Sequence, residues 1–392
     1  MSTGAVITGI GQSAIGRGLG RSALSLTVES SLAAIADAGL TRADIDGVAT
    51  WPGAHSHSPG MSGVGVWEIQ DALNLELNWF VGGWEGGSQL AAVINAVLAV
   101  QAGLARHVLV FRTLWESTAA SLERKASVFG AGHDRVDGFM VDQAPFGALN
   151  ASTWSALLAR RHMHLYGTSR EQLGQIALVQ RANAALNPTA VFRSPLTLDD
   201  YLTARPIATP LGLYDCDVPV DASTAVIVSA ADTARDARHP AVAIEAMSSR
   251  LAGRNRWDQY GDGASMVSSE VGKDLWQRTT LTPADVDVAM LYDGFSILAL
   301  LWLEAMGFVA PGEAGPFLEG GKRIALDGEL PINTSGGQLS AGRTHAYGHL
   351  HEAAVQLRGA AGARQVPNHP EVALVTAGGG WLAGALLLTA AR

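Results

Sequence analysis

Short apolar runs alternate along this chain with longer segments in which apolar residues recur every three to four positions. Ala5-Val6-Ile7-Thr8-Gly9-Ile10 reads as a buried strand. From Ala23 to Ala38, the residues Leu24, Leu26, Val28, Leu32 and Ile35 keep near-helical spacing, and Gly39 stands where a helix would close. Further strands are predicted at 108–111, 225–228, 241–244, 288–291 and 372–375. Strand and helix in alternation predict an α/β architecture.

The pattern also repeats itself. Leu40-Thr41-Arg42-Ala43-Asp44-Ile45-Asp46 returns as Leu281-Thr282-Pro283-Ala284-Asp285-Val286-Asp287. In each copy Thr can cap a helical turn that leads into a strand, and Pro283 suits the first helical position. After each copy come a helical stretch bounded by glycines (86–103, 348–359) and a strand. Two similar halves are predicted, 1–240 and 241–392. The stretch from about 115 to 217 breaks the alternation and reads as an insertion in the first half, carrying a helix over Gln172 to Ala184 and turn signals at Asn187-Pro188 and Arg205-Pro206.

Composition narrows the function. With 48% apolar and 16% charged residues, the 392-residue chain is predicted to bury much surface, a subunit interface included. A net charge of -9 and the absence of any basic run argue against a nucleic-acid partner. A single cysteine excludes an internal disulfide framework and fits a reducing compartment. The N-terminal residues enter a strand pattern without a basic leader, and no apolar run is long enough to cross a bilayer. A cytoplasmic location away from membranes is expected.

Candidate chemistry concentrates late in the chain. Asn333-Thr334-Ser335-Gly336-Gly337-Gln338-Leu339-Ser340-Ala341-Gly342-Arg343-Thr344-His345-Ala346-Tyr347-Gly348-His349 interleaves proton carriers and an anion-binding Arg with glycines that admit close backbone approach. Tyr292-Asp293-Gly294-Phe295-Ser296 lies at a strand-to-helix junction, where α/β sheets carry active residues. Gly9, Gly11 and Gly16 fail the dinucleotide spacing, because Ala14 takes the third glycine's place. His55 with His57, His162 with His164 and His349 with His351 lack a carboxylate or Cys at ligand spacing, so no metal is expected.

These motifs resemble the thiolase superfamily. Tyr292-Asp293-Gly294-Phe295-Ser296 matches the Asn-Glu-Ala-Phe motif of biosynthetic thiolases and the His-Asp-Cys-Phe-Ser motif of sterol-carrier-type thiolases. Gly342-Arg343-Thr344-His345-Ala346-Tyr347-Gly348 falls on their Gly-His-Pro-x-Gly loop, with Arg343 at the His position. Both thiolase cysteines are missing: Trp84-Glu85-Gly86-Gly87-Ser88-Gln89-Leu90 covers the nucleophile motif, and Thr376 or Ala377 the late one. Cys216 lies in a stretch resembling a structural loop and is expected to be inert. Tyr-Asp-x-Phe, Glu304-Ala305-Met306-Gly307-Phe308 and Asn333-Thr334-Ser335-Gly336-Gly337 resemble the lipid-transfer branch, which includes steroid side-chain retro-aldolases.

The resemblance implies a duplicated, five-layer α-β-α-β-α fold, a homodimer, and a small partner subunit of zinc-ribbon plus oligonucleotide-binding-type fold. It implies an acyl-CoA substrate, with no cofactor beyond the substrate's own coenzyme A. The implied activity is retro-aldol cleavage of a β-hydroxyacyl-CoA to a ketone or aldehyde plus a short acyl-CoA such as propionyl-CoA. Tyr292 is the implied proton-transfer residue, with Asp293 beside it. Tyr347 or His345 is the second acid/base or an oxyanion donor. Arg343 and Tyr347 are alternatives for the second tyrosine of the aldolases. Gly336, Gly337, Gly379 and Gly380 are the implied backbone lining for the substrate. A non-catalytic acyl-CoA-binding or scaffold subunit, or a cysteine-independent acyltransferase using Ser88, are the other readings.

Overall fold

The computed structural model describes residues 4–54, 60–83, 85, 86, 88–122, 141, 143–254, 256, 257, 260–367 and 369–390. His55, His57, Trp84 and Gly87, considered above, lie outside the described residues. The strands are β1 (Ala5–Gln12), β2 (Gly47–Thr50), β3 (Trp79–Gly82), β4 (His107–Trp115), β5 (Pro206–Ala208), β6 (Leu211–Gly212), β7 (Asp221–Ala230), β8 (Val242–Leu251), β9 (Val288–Met290), β10 (Val372–Gly379) and β11 (Leu382–Ala390). The helices are α1 (Ala23–Asp37), α2 (Val66–Leu73), α3 (Ala91–Gln101), α4 (Glu116–Leu122), α5 (Ala151–Tyr166), α6 (Arg170–Ala185), α7 (Leu198–Thr203), α8 (Ser268–Trp276), α9 (Ser296–Ala305), α10 (Ala314–Leu318) and α11 (Tyr347–Leu357).

Strand order exposes the duplication. The first half runs β3-β2-β4-β7-β1 and the second β8-β11-β10-β9, with Ile332 bridging β9 in parallel where β3 pairs with β2 in the first half. Each half mixes parallel pairs (β2 with β4, β9 with β10) with antiparallel ones (β4 with β7, β10 with β11). The halves meet where β1 and β8 pair, through only Val6–Ala243 and Ile7–Val242.

Side-chain alternation builds the layers. Leu109 and Phe111 of β4 face an outer core with Ala34, Ile35, Ile69 and Leu73 of α1 and α2. Val108 and Val110 of the same strand face the central core, which α3 and α11 fill. On the far side α8 packs on β8 and β11, completing five layers. Gly9 and Gly11 have a structural use: a Cβ on either would overlap the α1 backbone at Ala34 or Ser30, so their absence lets α1 lie directly on β1.

The repeated phrase does the same work twice. The Thr41 amide and hydroxyl bind Asp44, and those of Thr282 bind Asp285, all at 2.7–2.8 Å. Asp46 then accepts from the backbone entering β4 at Arg106 and His107, and Asp287 from that entering β10 at Glu371 and Val372. One prediction shifts: α3 begins at Ala91 rather than near Gly86, because Ser88 takes a left-handed φ of 65° and the chain turns before the helix starts. Among the described residues no helix is long and apolar enough to cross a membrane.

Candidate active site

Leaving β9, the chain is clamped from two sides. Asn333 accepts from the Leu291 amide at 2.8 Å and donates to its carbonyl at 2.9 Å, and the Tyr292 amide donates to Thr376 Oγ1 of β10 at 2.8 Å. Tyr292 is thereby fixed with its ring buried, and Gln89 Nε2 donates to its hydroxyl at 3.3 Å. Burial raises the Tyr292 pKa above the usual phenol range, Asp217 and Asp293 raise it further, and Arg343 pulls it down.

Asp293 turns inward. His349 Nε2 lies 2.9 Å from Asp293 Oδ1, and the Gln338 amide donates to Oδ2 at 2.9 Å. A Cβ on Gly337, whose φ is 60°, would overlap that carboxylate and Gln180, so the loop can close here only as glycine. Gln338 Oε1 in turn accepts from the His345 amide at 2.9 Å. His345 and Ala346 are both left-handed, at φ 49° and 69°, a strained pair costing about 1–3 kcal/mol each.

That strain aims His345 at a residue from the other half. Arg112, in the middle of β4 and only 2% exposed, donates from Nη2 to His345 Nδ1 at 2.8 Å and lies 5.1 Å over the Trp51 ring. Burial pushes the Arg112 pKa down to about 10, against the attraction of Glu116, Tyr347 and Tyr292. Burial, then Arg112 and Arg343, hold His345 well below the ordinary imidazole range. The ring is therefore neutral, and because Arg112 can only donate, the His345 proton sits on Nε2. Tyr347, at the start of α11, is fully buried. Among the described residues its hydroxyl has no hydrogen-bond partner, nor has Arg112 Nε. Burial raises its pKa while Arg112 pulls it down.

Arg343 stands in an ion-pair cluster. It donates to Glu116 Oε2 from Nε (2.9 Å) and Nη2 (2.7 Å), and to Asp217 Oδ1 from Nη1 (3.1 Å). Burial opposes its charge, but Asp217 and Glu116 outweigh burial and its pKa moves up.

Tyr292, Asp293, His345 and Tyr347 thus lie buried in one region, with half-buried Arg343 at its side. Gly336 and Gly337 border it, the former with φ 104° packed on Ala184. Gly379 and Gly380 lie at the β10–β11 turn, where their nearest neighbours are Trp257, Met266 and Leu298 rather than the tyrosines. Sequence reading missed Arg112, Gln89, Asp217 and Glu116. Arg112 had a signal: a charge interrupting the apolar run of β4 is expensive to bury unless it serves a partner. Cys216 is half-buried, with its thiol pushed up to about 12 by burial and then by Asp217 and Asp215. Among the described residues no His, Cys, Asp and Glu cluster could hold a metal ion, and His162 is engaged by Thr168 and Glu304.

Residues 254–389 match the thiolase C-terminal domain-like family. Across 99% of its length the chain is 36% identical to the steroid side-chain-cleaving aldolase of Thermomonospora curvata, covering 98% of that protein. It is 35% identical to the 17-hydroxy-3-oxo-4-pregnene-20-carboxyl-CoA lyase of Mycobacterium tuberculosis, over 99% of this chain and 100% of that one. The solved Ltp2-ChsH2(DUF35) aldolase superposes with a TM-score of 0.87 at 33% identity, over 100% of this chain and 99% of that chain. Human mitochondrial 3-ketoacyl-CoA thiolase shares the fold alone, with a TM-score of 0.68 at 13% identity over 99% of each chain. With its motifs, its duplicated mixed sheet and two full-length relatives that are C–C lyases, the chain belongs to the thiolase superfamily, in the sterol-carrier and lipid-transfer branch.

Proposed function

We propose that the protein cleaves a β-hydroxyacyl-CoA of the steroid side-chain type by a retro-aldol reaction, releasing a ketone or aldehyde and a short acyl-CoA such as propionyl-CoA. The observation that carries this reading is a furnished proton-transfer site with no nucleophilic thiol. Arg112 binds His345 and acts on both tyrosines, while the buried Tyr347 hydroxyl has no partner among the described residues. A buried polar atom left unpaired costs about 1–3 kcal/mol, a cost that a substrate's polar atoms can remove. The names of the two full-length relatives support the substrate class: a 17-hydroxyl beside a 20-carboxyl-CoA is a β-hydroxy thioester.

In this mechanism the β-hydroxyl gives its proton to the Tyr292 oxygen, which Gln89 steadies, as the phenol passes its own proton on. The Cα–Cβ bond then breaks, the β-carbon becomes a carbonyl, and the electron pair enters the thioester as an enolate. Neutral His345, donating from Nε2, and the Arg112 charge hold the enolate oxygen. Tyr347 protonates Cα. Its pKa, lowered by Arg112 from what burial alone would impose, suits a donor that must accept its proton back.

A small partner subunit belongs to the same reading, supported by the two-component name of the solved aldolase relative. A homodimer is supported by the first sheet's edge, where β3 carries exposed Phe80 beside exposed Trp67. The test is mass-spectrometric: branched β-hydroxyacyl-CoA substrates, with and without the partner, for wild type and Tyr292→Phe. Paired carbonyl and short acyl-CoA products from wild type, lost in the folded Phe variant, are the expected outcome. Tight acyl-CoA binding without cleavage in either preparation would replace this reading with a carrier or scaffold.

A further inference from the structure

Tyr292 cannot act as a base while it keeps its own phenol proton, and burial opposes the free phenolate. A proton taken from substrate must therefore displace one from Tyr292 to a neighbour. The structure offers one on the same side of the ring. A side chain on Gly294 would begin at a point 3.2 Å from Tyr292 Cε1, 3.5 Å from the Tyr292 hydroxyl and 3.6 Å from Asp217 Oδ2. The phenol oxygen and a carboxylate oxygen thus border one small space, kept open because residue 294 has no Cβ. The Asp217 amide donates to the Gly294 carbonyl at 3.1 Å, which ties the two segments together.

The two oxygens of Asp217 are used differently. Oδ1 takes Arg343 Nη1, whereas Oδ2 is the one turned to the space beside Tyr292. Glu116 is the fuller ion-pair partner, receiving both Nε and Nη2 of Arg343 on Oε2. Arg343 is thus already neutralised by Glu116, and Asp217 can gain a proton without leaving a bare cation in the core.

We propose that Asp217 is a positioning residue that receives the Tyr292 proton through Oδ2, making Tyr292 a relay rather than the terminal base. The inference rests on the retro-aldol reading. The substrate O–H bond breaks as its proton reaches the Tyr292 oxygen, and the Tyr292 proton crosses the space beside Gly294 through one bridging water, which takes that proton as it gives one to Asp217 Oδ2. The C=O forms from the O–H electron pair, and the Cα–Cβ pair becomes the enolate that Tyr347 protonates. Asp217 then releases one proton to solvent and Tyr347 regains one, so the cycle consumes none.

The groups facing Asp217 suit it to this transfer. Arg343 from the glycine loop attracts its charge, while Glu116 from α4 and Asp293 from the β9–α9 turn repel it. Burial is the largest influence, and its pKa is pushed up to about 7, where a carboxylate exchanges protons readily.

The experiment compares wild type, Asp217→Asn and Asp217→Glu, with and without the partner subunit, by thermal unfolding, kcat/KM against pH and infrared titration of carboxyl bands. The wild-type rate is expected to fall on the acid side near pH 7. The Asn variant, still folded, should lose roughly 10²-fold or more in kcat and lose that acid limb. The Glu variant, which keeps the carboxylate, should recover part of both. A folded Asn variant with the wild-type rate and profile overturns the proposal. The infrared arm needs no turnover: the band absent from Asp217→Asn should shift in Tyr292→Phe. An unmoved band overturns the proposal as well, even if wild type proves not to be an aldolase, a failure that the product assay reads separately.

Discussion

Replacing Arg112 with Met should separate function from stability. Arg112 is 2% exposed, and burial pulls its pKa down from the ordinary guanidinium range to about 10. That shift is already net of the pull from Glu116 and the two tyrosines. At about 1.4 kcal/mol per unit, the buried charge costs on the order of 3 kcal/mol relative to the unfolded chain. The folded pKa is the lower one, so this penalty is fully present at every pH below about 10 and fades as pH rises beyond it.

Met is unbranched and of similar reach, so it removes the charge while leaving little cavity. Against that gain stands the lost bond to His345 Nδ1, which leaves an unpaired buried nitrogen at about 1–3 kcal/mol. The two nearly cancel, and the Met variant should unfold within about 2 kcal/mol of wild type or later. Activity moves the other way, because a lost oxyanion-side donor costs about 10²–10³ in kcat. Urea unfolding followed by tryptophan fluorescence gives the first quantity and the product assay the second. A variant that turns over like wild type but unfolds more than ~3 kcal/mol sooner would refute the reasoning and make Arg112 a structural residue.

Tyr347→Phe removes a buried hydroxyl with no partner among the described residues, so it should be neutral or stabilising by up to about 2 kcal/mol while abolishing turnover; destabilisation in a thermal melt would mean the hydroxyl is satisfied in solution. Gly337→Ala sets a Cβ against Asp293 and Gln180 at a positive φ, and should lose at least ~2 kcal/mol of stability together with activity; a wild-type melting temperature would contradict the loop's packing. Asp217 holds its proton in the fold up to about pH 7, whereas the unfolded chain releases it near its ordinary 3.8. Its burial therefore weakens the fold as pH rises between those values, and Asp217→Asn should flatten that slope in denaturant titrations across the window.

Much of the architecture was legible locally. Thr41 and Thr282 could be read as caps because a cap bonds a partner three residues away, and the echo they start marks the duplication wherever the chain goes. Tyr292, His345 and Tyr347 stood out because glycines around them leave few other reasons for their presence. β2 was legible only as the strand that the Thr41 turn leads into, and β3 escaped notice, since no residue of Trp79–Gly82 is buried. So did β11, whose uniform apolar run gives no alternation to distinguish strand from helix.

Tertiary structure decided the rest. Arg343 does pull the Tyr292 pKa down, but that Glu116 and Asp217 occupy its guanidinium, and that Arg112 is the buried cation bonded to His345, no local pattern could show. Arg112 and His345 are 233 residues apart, and Asp217 meets Arg343 across 126. Hydrogen bonds within a turn are written into neighbouring residues, because only a few torsions separate the partners. A contact between halves depends on how the β1–β8 junction and the α3–α11 layer bring two sheets together, and no local pattern of residues encodes that distance.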